Sequence, residues 1–222
     1  MNQQSYFFST VGRKQMMALV GVFLALFVFT HALGNMLIFV GDQTYNKYSH
    51  ALISNPLIYI AEAGLVAFFL FHIIFGIVLT IRNFKARPDK YAVRAAGDKA
   101  TSLTTRSMML QGIAIFLFVV FHLITFKFGP NYVTTIDGVE MRDLFRLVVE
   151  VFQSPAYVFG YIAVLLILCF HLSHGVYSSI QTLGVNRPQI AEKAKCVSCA
   201  YGFLVAAMFI SQPLYIFFFY KA

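Results

Sequence analysis

The sequence predicts an all-α integral membrane protein, a bundle of five transmembrane helices. Three observations predict it. Of 222 residues, 59% are hydrophobic and 12% charged, against about 45–50% and about 25% in soluble domains. Five stretches are long and apolar enough to cross about 30 Å of hydrocarbon, which takes about 20 helical residues. The runs are continuous, without the period-two alternation of membrane β-strands. No loop is long enough to fold alone, so residues 1–222 read as one transmembrane domain.

The spans fall at about 15–40, 57–81, 107–128, 156–182 and 197–220. The opening MNQQSYFFSTVGRKQ has neither the short apolar core nor the cleavage site of a signal peptide. The first span is therefore expected to remain as a helix. Between spans two and three, RNFKARPDKYAVRAAGDKATSLTTR carries seven Lys/Arg against two Asp. Arg187, Lys193 and Lys195 precede span five, and Arg13 and Lys14 precede span one. The other loops are poorer in positive charge or balanced. The positive-inside rule then puts the N-terminus in the cytoplasm and the C-terminus outside. Residues 140–153, EMRDLFRLVVEVFQ, read as a short amphipathic helix on the outer surface. The net charge of +8 is a topology signal, with membrane lipid and no nucleic acid as the expected partner. Three cysteines make no disulfide framework, and the Cys196/Cys199 pair lacks the second pair that structural zinc needs.

His31, His72, His122 and His171 lie one in each of the first four spans. Ionisable groups inside a span are costly and mark function by default. A lone one is most simply a core residue bonded to a carbonyl, but four, one per helix, call for a shared explanation. Lys14 to His31 is 17 residues, and Arg106 to His122, Pro56 to His72 and Pro155 to His171 are 16 each. At 1.5 Å per residue each histidine lies about 24–26 Å along its helix. Because the helices alternate in direction, His31 and His122 meet near the outer face, and His72 and His171 near the inner one. Two imidazoles from opposite sides are what a low-spin haem b takes, whereas zinc wants further protein ligands. The sequence therefore predicts two haem b groups with iron held by His31/His122 (outer) and His72/His171 (inner).

His174, three residues after His171, is the alternative inner ligand, though it breaks the 16-residue rule. Gly76, Gly175 and Gly34 follow His72, His171 and His31 at three or four residues. Such glycines let a flat macrocycle approach, or simply let helices pack closely. Ser9, Arg13, Lys14 and Arg82 sit at the inner level as candidate propionate partners, the competing reading being topology signalling and a solvated turn. Glu62, the one acid clearly inside a span, is the candidate for quinone proton chemistry, with His50 and Asn35 near it in depth.

THALGN, FHIIFG, FHLITF and FHLSHGVYS, one per span in that order, resemble the single-chain, five-helix, dihaem cytochrome b anchor of succinate:quinone oxidoreductases (succinate dehydrogenase or fumarate reductase). The resemblance runs from STVGRK through YNKYSH into span five. It implies a flavoprotein subunit with covalent FAD, and an iron–sulfur subunit on the cytoplasmic face of a bacterial inner membrane. It also implies an electron path from that subunit through the two haems to quinone, usually menaquinone. The chain has no FAD-binding glycines or cluster cysteines, so succinate chemistry would lie in its partners. A different dihaem membrane cytochrome and a histidine-using proton-coupled transporter are the competing readings.

Overall fold

The computed structural model describes residues 9–86, 103–185 and 189–220. Most of the basic segment between spans two and three (87–102) and Arg187 lie outside the described residues. Helix α1 (Thr10–Asn35) runs into a 3₁₀ turn at Met36–Phe39, and α2 (Asp42–Ile53) follows. Helix α3 is Leu57–Lys85. Helix α4 (Leu103–His122) continues as a π turn over Leu123–Lys127. A hairpin of β1 (Val133–Ile136) and β2 (Val139–Arg142), then α5 (Leu144–Phe152), α6 (Pro155–Thr182) and α7 (Ala191–Phe219), complete the chain.

Five of these helices are long and apolar enough to span a membrane: α1 with its 3₁₀ extension, α3, α4 with its π turn, α6 and α7. Their ends follow local chemistry. Ser9 caps α1, its Oγ accepting from the Gly12 N–H at 3.0 Å, which satisfies one of the orphan donors of the first turn. Pro155 opens α6, where a missing N–H costs nothing. Gly41, at φ 131°, makes the corner before α2, a backbone that residues with a Cβ rarely adopt.

The closest helix pair is α6 with α7. A Cβ added at Gly202 of α7 would lie 2.6 Å from the Cys169 carbonyl oxygen and 3.1 Å from the Ser173 nitrogen. In lipid, helices gain nothing by hiding apolar surface from one another, so association comes from such close fits and from hydrogen bonds. Helix α1 joins this pair: the Tyr201 hydroxyl donates to the Ala25 carbonyl at 2.6 Å and Ser179 to that of Ala18 at 3.4 Å. Helices α3 and α4 lie outside, with 6% and none of their most apolar windows buried. They are held partly by ring stacking, Phe23 on Phe68 at 5.2 Å and Phe69 on Phe116 at 6.3 Å.

The largest core sits at one end of the bundle, where α2, the hairpin and α5 dock. Ile38, Tyr45, Phe145, Val148, Phe152, Val158, Tyr161 and Ile216 form it. Buried Asn46 fastens the dock, its amide nitrogen donating to Asp143 at 2.8 Å while its oxygen accepts from the Phe145 N–H at 2.9 Å. Lys47 pairs with Asp137. The amphipathic helix expected over 140–153 is shorter at its start: residues 139–142 belong to β2 and the helix begins at Leu144. The reason is the Asp137-Gly138 corner, both residues at positive φ (52° and 78°), the favoured two-residue hairpin turn. Asp143 then caps α5 by accepting from the Arg146 N–H at 3.0 Å.

Candidate functional site

Four spans bring one imidazole each to the interior, and the rings meet in twos. His31 of α1 and His122 of α4 have ring centres 6.0 Å apart with planes at 90°. His72 of α3 and His171 of α6 are 6.2 Å apart at 73°. A metal bonded to one nitrogen of each ring at the usual 2.0–2.1 Å would set the ring centres at about 6.3 Å. Both spacings suit such a bridge. Among the described residues no cluster of three or more His, Cys, Asp or Glu could hold a metal. The donor set therefore fits a metal that brings its own equatorial ligands, as a porphyrin iron does, and does not fit tetrahedral zinc.

The pairs lie at two levels. On α1, Gly21 packs beside the His72 ring, an added Cβ there lying 3.6 Å from Cε1, and His31 comes ten residues later. On α4, Gly112 approaches the His171 ring at 3.9 Å, and His122 again follows by ten. On α6, Tyr161 reaches His122 and His171 lies ten further on. Ten helical residues make about 15 Å, the separation of the levels.

Their surroundings differ. Nδ1 of both His72 and His171 is buried without a hydrogen-bond partner among the described residues. Leaving a buried polar atom unpaired costs about 1–3 kcal/mol, so these rings are held in place by packing and not by a side-chain hydrogen bond. At the other level, His122 Nδ1 lies 3.3 Å from the Tyr161 hydroxyl. Asn35 Nδ2 donates to the His31 carbonyl at 2.8 Å and lies 3.5 Å from His31 Nε2. The Tyr45 hydroxyl donates to Asn35 Oδ1 at 2.8 Å. Phe27 and Phe209 flank His31, and Phe118 and Phe126 flank His122. The π turn begins directly after His122, and Arg142 Nη2 donates to carbonyls at its end, Phe126 at 2.9 Å and Pro130 at 3.1 Å. Partial burial lowers the Arg142 guanidinium pKa from its ordinary value.

The ring facing His72 is His171; half-buried His174 makes no ring contact among the described residues. Gly76 and Gly175 leave open strips, a Cβ at either meeting nothing within 4 Å. Gly34 serves another purpose than a macrocycle: a Cβ there would strike the Tyr48 ring, 2.6 Å from its oxygen. Ser9 is a helix cap, Arg13 is half-buried, and Lys14 and Arg82 are exposed. The three candidates for quinone chemistry have separate partners. Glu62 pairs with Lys127 across α3 and α4, Asn35 bonds Tyr45 and His31, and His50 lines a surface cleft with Glu140 and Arg142. No hydrogen bond or ion pair joins any two of them among the described residues. Gly21, Gly112 and Tyr161 escaped the sequence reading, although the recurring ten-residue interval was there to be counted.

Residues 85–209 match the family model of the succinate dehydrogenase/fumarate reductase transmembrane subunit. The chain belongs to this family. The matched stretch is more than half of the 222 residues and contains His122 and His171, while their ring partners His31 and His72 precede it. The protein is thus a multi-pass membrane subunit of a succinate dehydrogenase or fumarate reductase. Membership implies association with the flavoprotein and iron–sulfur subunits of that complex, and brings haem b and quinone as the family's general associates. No curated protein and no solved structure matches the chain.

Proposed function

We propose that this transmembrane subunit is the electron-transfer anchor of its complex, holding two b haems between the iron–sulfur subunit and membrane quinone. His31 and His122 would hold one and His72 and His171 the other. When bound, the two groups supply one-electron carriers at two depths of the membrane. The observation carrying this reading is the ring geometry: two imidazole pairs at metal-bridging distance, each drawn from two helices, about 15 Å apart along the bundle.

Each histidine would hold its metal from a different helix, so ligation would also staple the lipid-facing α3 and α4 to α1 and α6. Phe27, Phe118, Phe126 and Phe209 keep water from the outer pair. The N-terminus is assigned to the cytoplasm of a bacterial inner membrane, with the C-terminus outside. The iron–sulfur subunit then docks at the end nearer His72 and His171, where Arg13, Lys14 and Arg82 are available to haem propionates. Quinone, as menaquinone, belongs at the opposite end, where Glu62 lies beside a cation able to hold its charge.

The test is a reduced-minus-oxidised spectrum of the purified complex with each histidine replaced. His31→Ala or His122→Ala should each remove one b haem, His72→Ala or His171→Ala the other, and His174→Ala neither. Full haem retention in the four variants would end the proposal. The flavoprotein and iron–sulfur subunits should copurify.

A further inference from the structure

We propose that Tyr161 is the positioning residue of the outer pair, its hydroxyl holding the His122 ring through Nδ1 and thereby tuning the haem that His122 binds. This rests on the haem reading above. The hydroxyl lies 3.3 Å from His122 Nδ1, and the residue is 6% exposed. Its ring is wedged edge-on between Phe118, at 4.8 Å and 75°, and Phe152, at 5.0 Å and 86°. That wedge fixes where the oxygen sits. No such partner reaches Nδ1 of His72 or His171 among the described residues, so side-chain hydrogen bonding on Nδ1 distinguishes His122 from both ligands of the inner pair.

An imidazole bound to iron through Nε2 keeps its proton on Nδ1, and here that proton is donated to the Tyr161 oxygen. Drawing the proton outward raises electron density on the ring and makes it a stronger donor, which favours ferric over ferrous iron. The ring is also held against rotation about its χ angles. Helix α6 thus acts at both levels, with Tyr161 behind one ligand and His171 as another.

The experiment is a potentiometric titration of both b haems in the purified complex carrying Tyr161→Phe, with His122→Ala identifying the outer component. Losing the hydrogen bond should lower the ferric-to-ferrous ratio of the outer haem at fixed potential about threefold to tenfold. At 59 mV per tenfold for one electron, its midpoint rises by about 30–60 mV, while the inner haem keeps its midpoint. Loss of the outer haem alone in Tyr161→Phe also supports the assignment. Phe152→Leu loosens the packing on Tyr161, is not among the rings flanking His122 and leaves the hydroxyl in place, so it should shift neither midpoint. An unchanged outer midpoint in Tyr161→Phe, or an equal shift in Phe152→Leu, overturns the assignment. Should Tyr161→Phe not assemble, pulsed double resonance on the deuterated wild-type complex decides. The His122 Nδ1 deuteron must show a smaller quadrupole coupling than those of the inner ligands, and equal couplings overturn the proposal. If instead His122→Ala retains both haems, the haem reading itself has failed.

Discussion

Gly202→Ala adds one methyl where α6 and α7 touch, and its cost follows from the contacts. The new carbon would lie 2.6 Å from the Cys169 carbonyl oxygen and 3.1 Å from the Ser173 nitrogen, and closer still to the Ser173 hydroxyl. The hydroxyl can rotate away, but the other two are backbone atoms of a helix. Reaching an ordinary 3.4 Å contact means parting the helices locally by about 0.8 Å. Overpacking of this kind costs about 1–3 kcal/mol. At about 2–4 °C per kcal/mol for a chain of this size, the melting temperature of the complex in detergent should fall by about 2–12 °C. His171 lies between Cys169 and Ser173, so the inner haem should be lost on heating before the outer one. Gly160→Ala is the matched control: its Cβ meets nothing within 4 Å, and better helix propensity favours it by up to about 1 kcal/mol. Both variants would be followed by helical circular dichroism and Soret absorbance during heating. If Gly202→Ala melts with Gly160→Ala, the close approach of α6 and α7 is wrong.

Other expectations concern the docked end. Asn46→Ala removes both side-chain bonds of a residue 2% exposed, leaving the Phe145 N–H unpaired and Asp143 with its cap bond to Arg146; it should cost about 1–3 kcal/mol and admit protease to the 130–145 region under conditions where the wild type resists. Burial raises the Tyr45 phenol above its ordinary 10.0, with a further push from Tyr48. The folded state therefore holds that proton more tightly than the unfolded chain, so stability is full below pH 10 and falls as pH climbs beyond it. Tyr45→Phe should be less stable at neutral pH, through loss of the Asn35 bond, yet flatter in alkali; equal alkaline slopes would remove Tyr45 as the cause. The Glu62–Lys127 pair is half exposed and worth about 0–1 kcal/mol, so Glu62→Gln and Lys127→Met should melt nearly like the wild type. If Glu62 serves quinone protons, Glu62→Gln alone slows quinone turnover.

Much of the architecture was legible because lipid imposes a simple code: a run of about 20 apolar residues must be a helix. The count from Lys14, Pro56, Arg106 and Pro155 also indicated which rings lie at one depth, since rise per residue is constant in a helix. The code lapses where the chain leaves lipid. Helix α2 hides in DQTYNKYSHALI, whose polarity reads as loop, and it forms by docking Tyr45 and Asn46 onto α5. The Asp137-Gly138 pair is a hairpin-turn signal that the reading of 140–153 from its apolar pattern did not take in. Of the two readings open for Gly34 the structure bears out close packing, against Tyr48 from that unrecognised helix. The Glu62–Lys127 pair joins residues 65 apart in sequence, which no local pattern reveals.

The recurring ten-residue interval makes three helices into rulers. Side chains between the marks can be exchanged for other apolar ones at modest cost. A single-residue deletion, however, turns everything beyond it by about 100° and draws it in by about 1.5 Å. Such a deletion between Gly21 and His31, Gly112 and His122, or Tyr161 and His171 would swing one level out of alignment with the other. Insertions and deletions should therefore be tolerated in the connections outside the membrane and not between these marks.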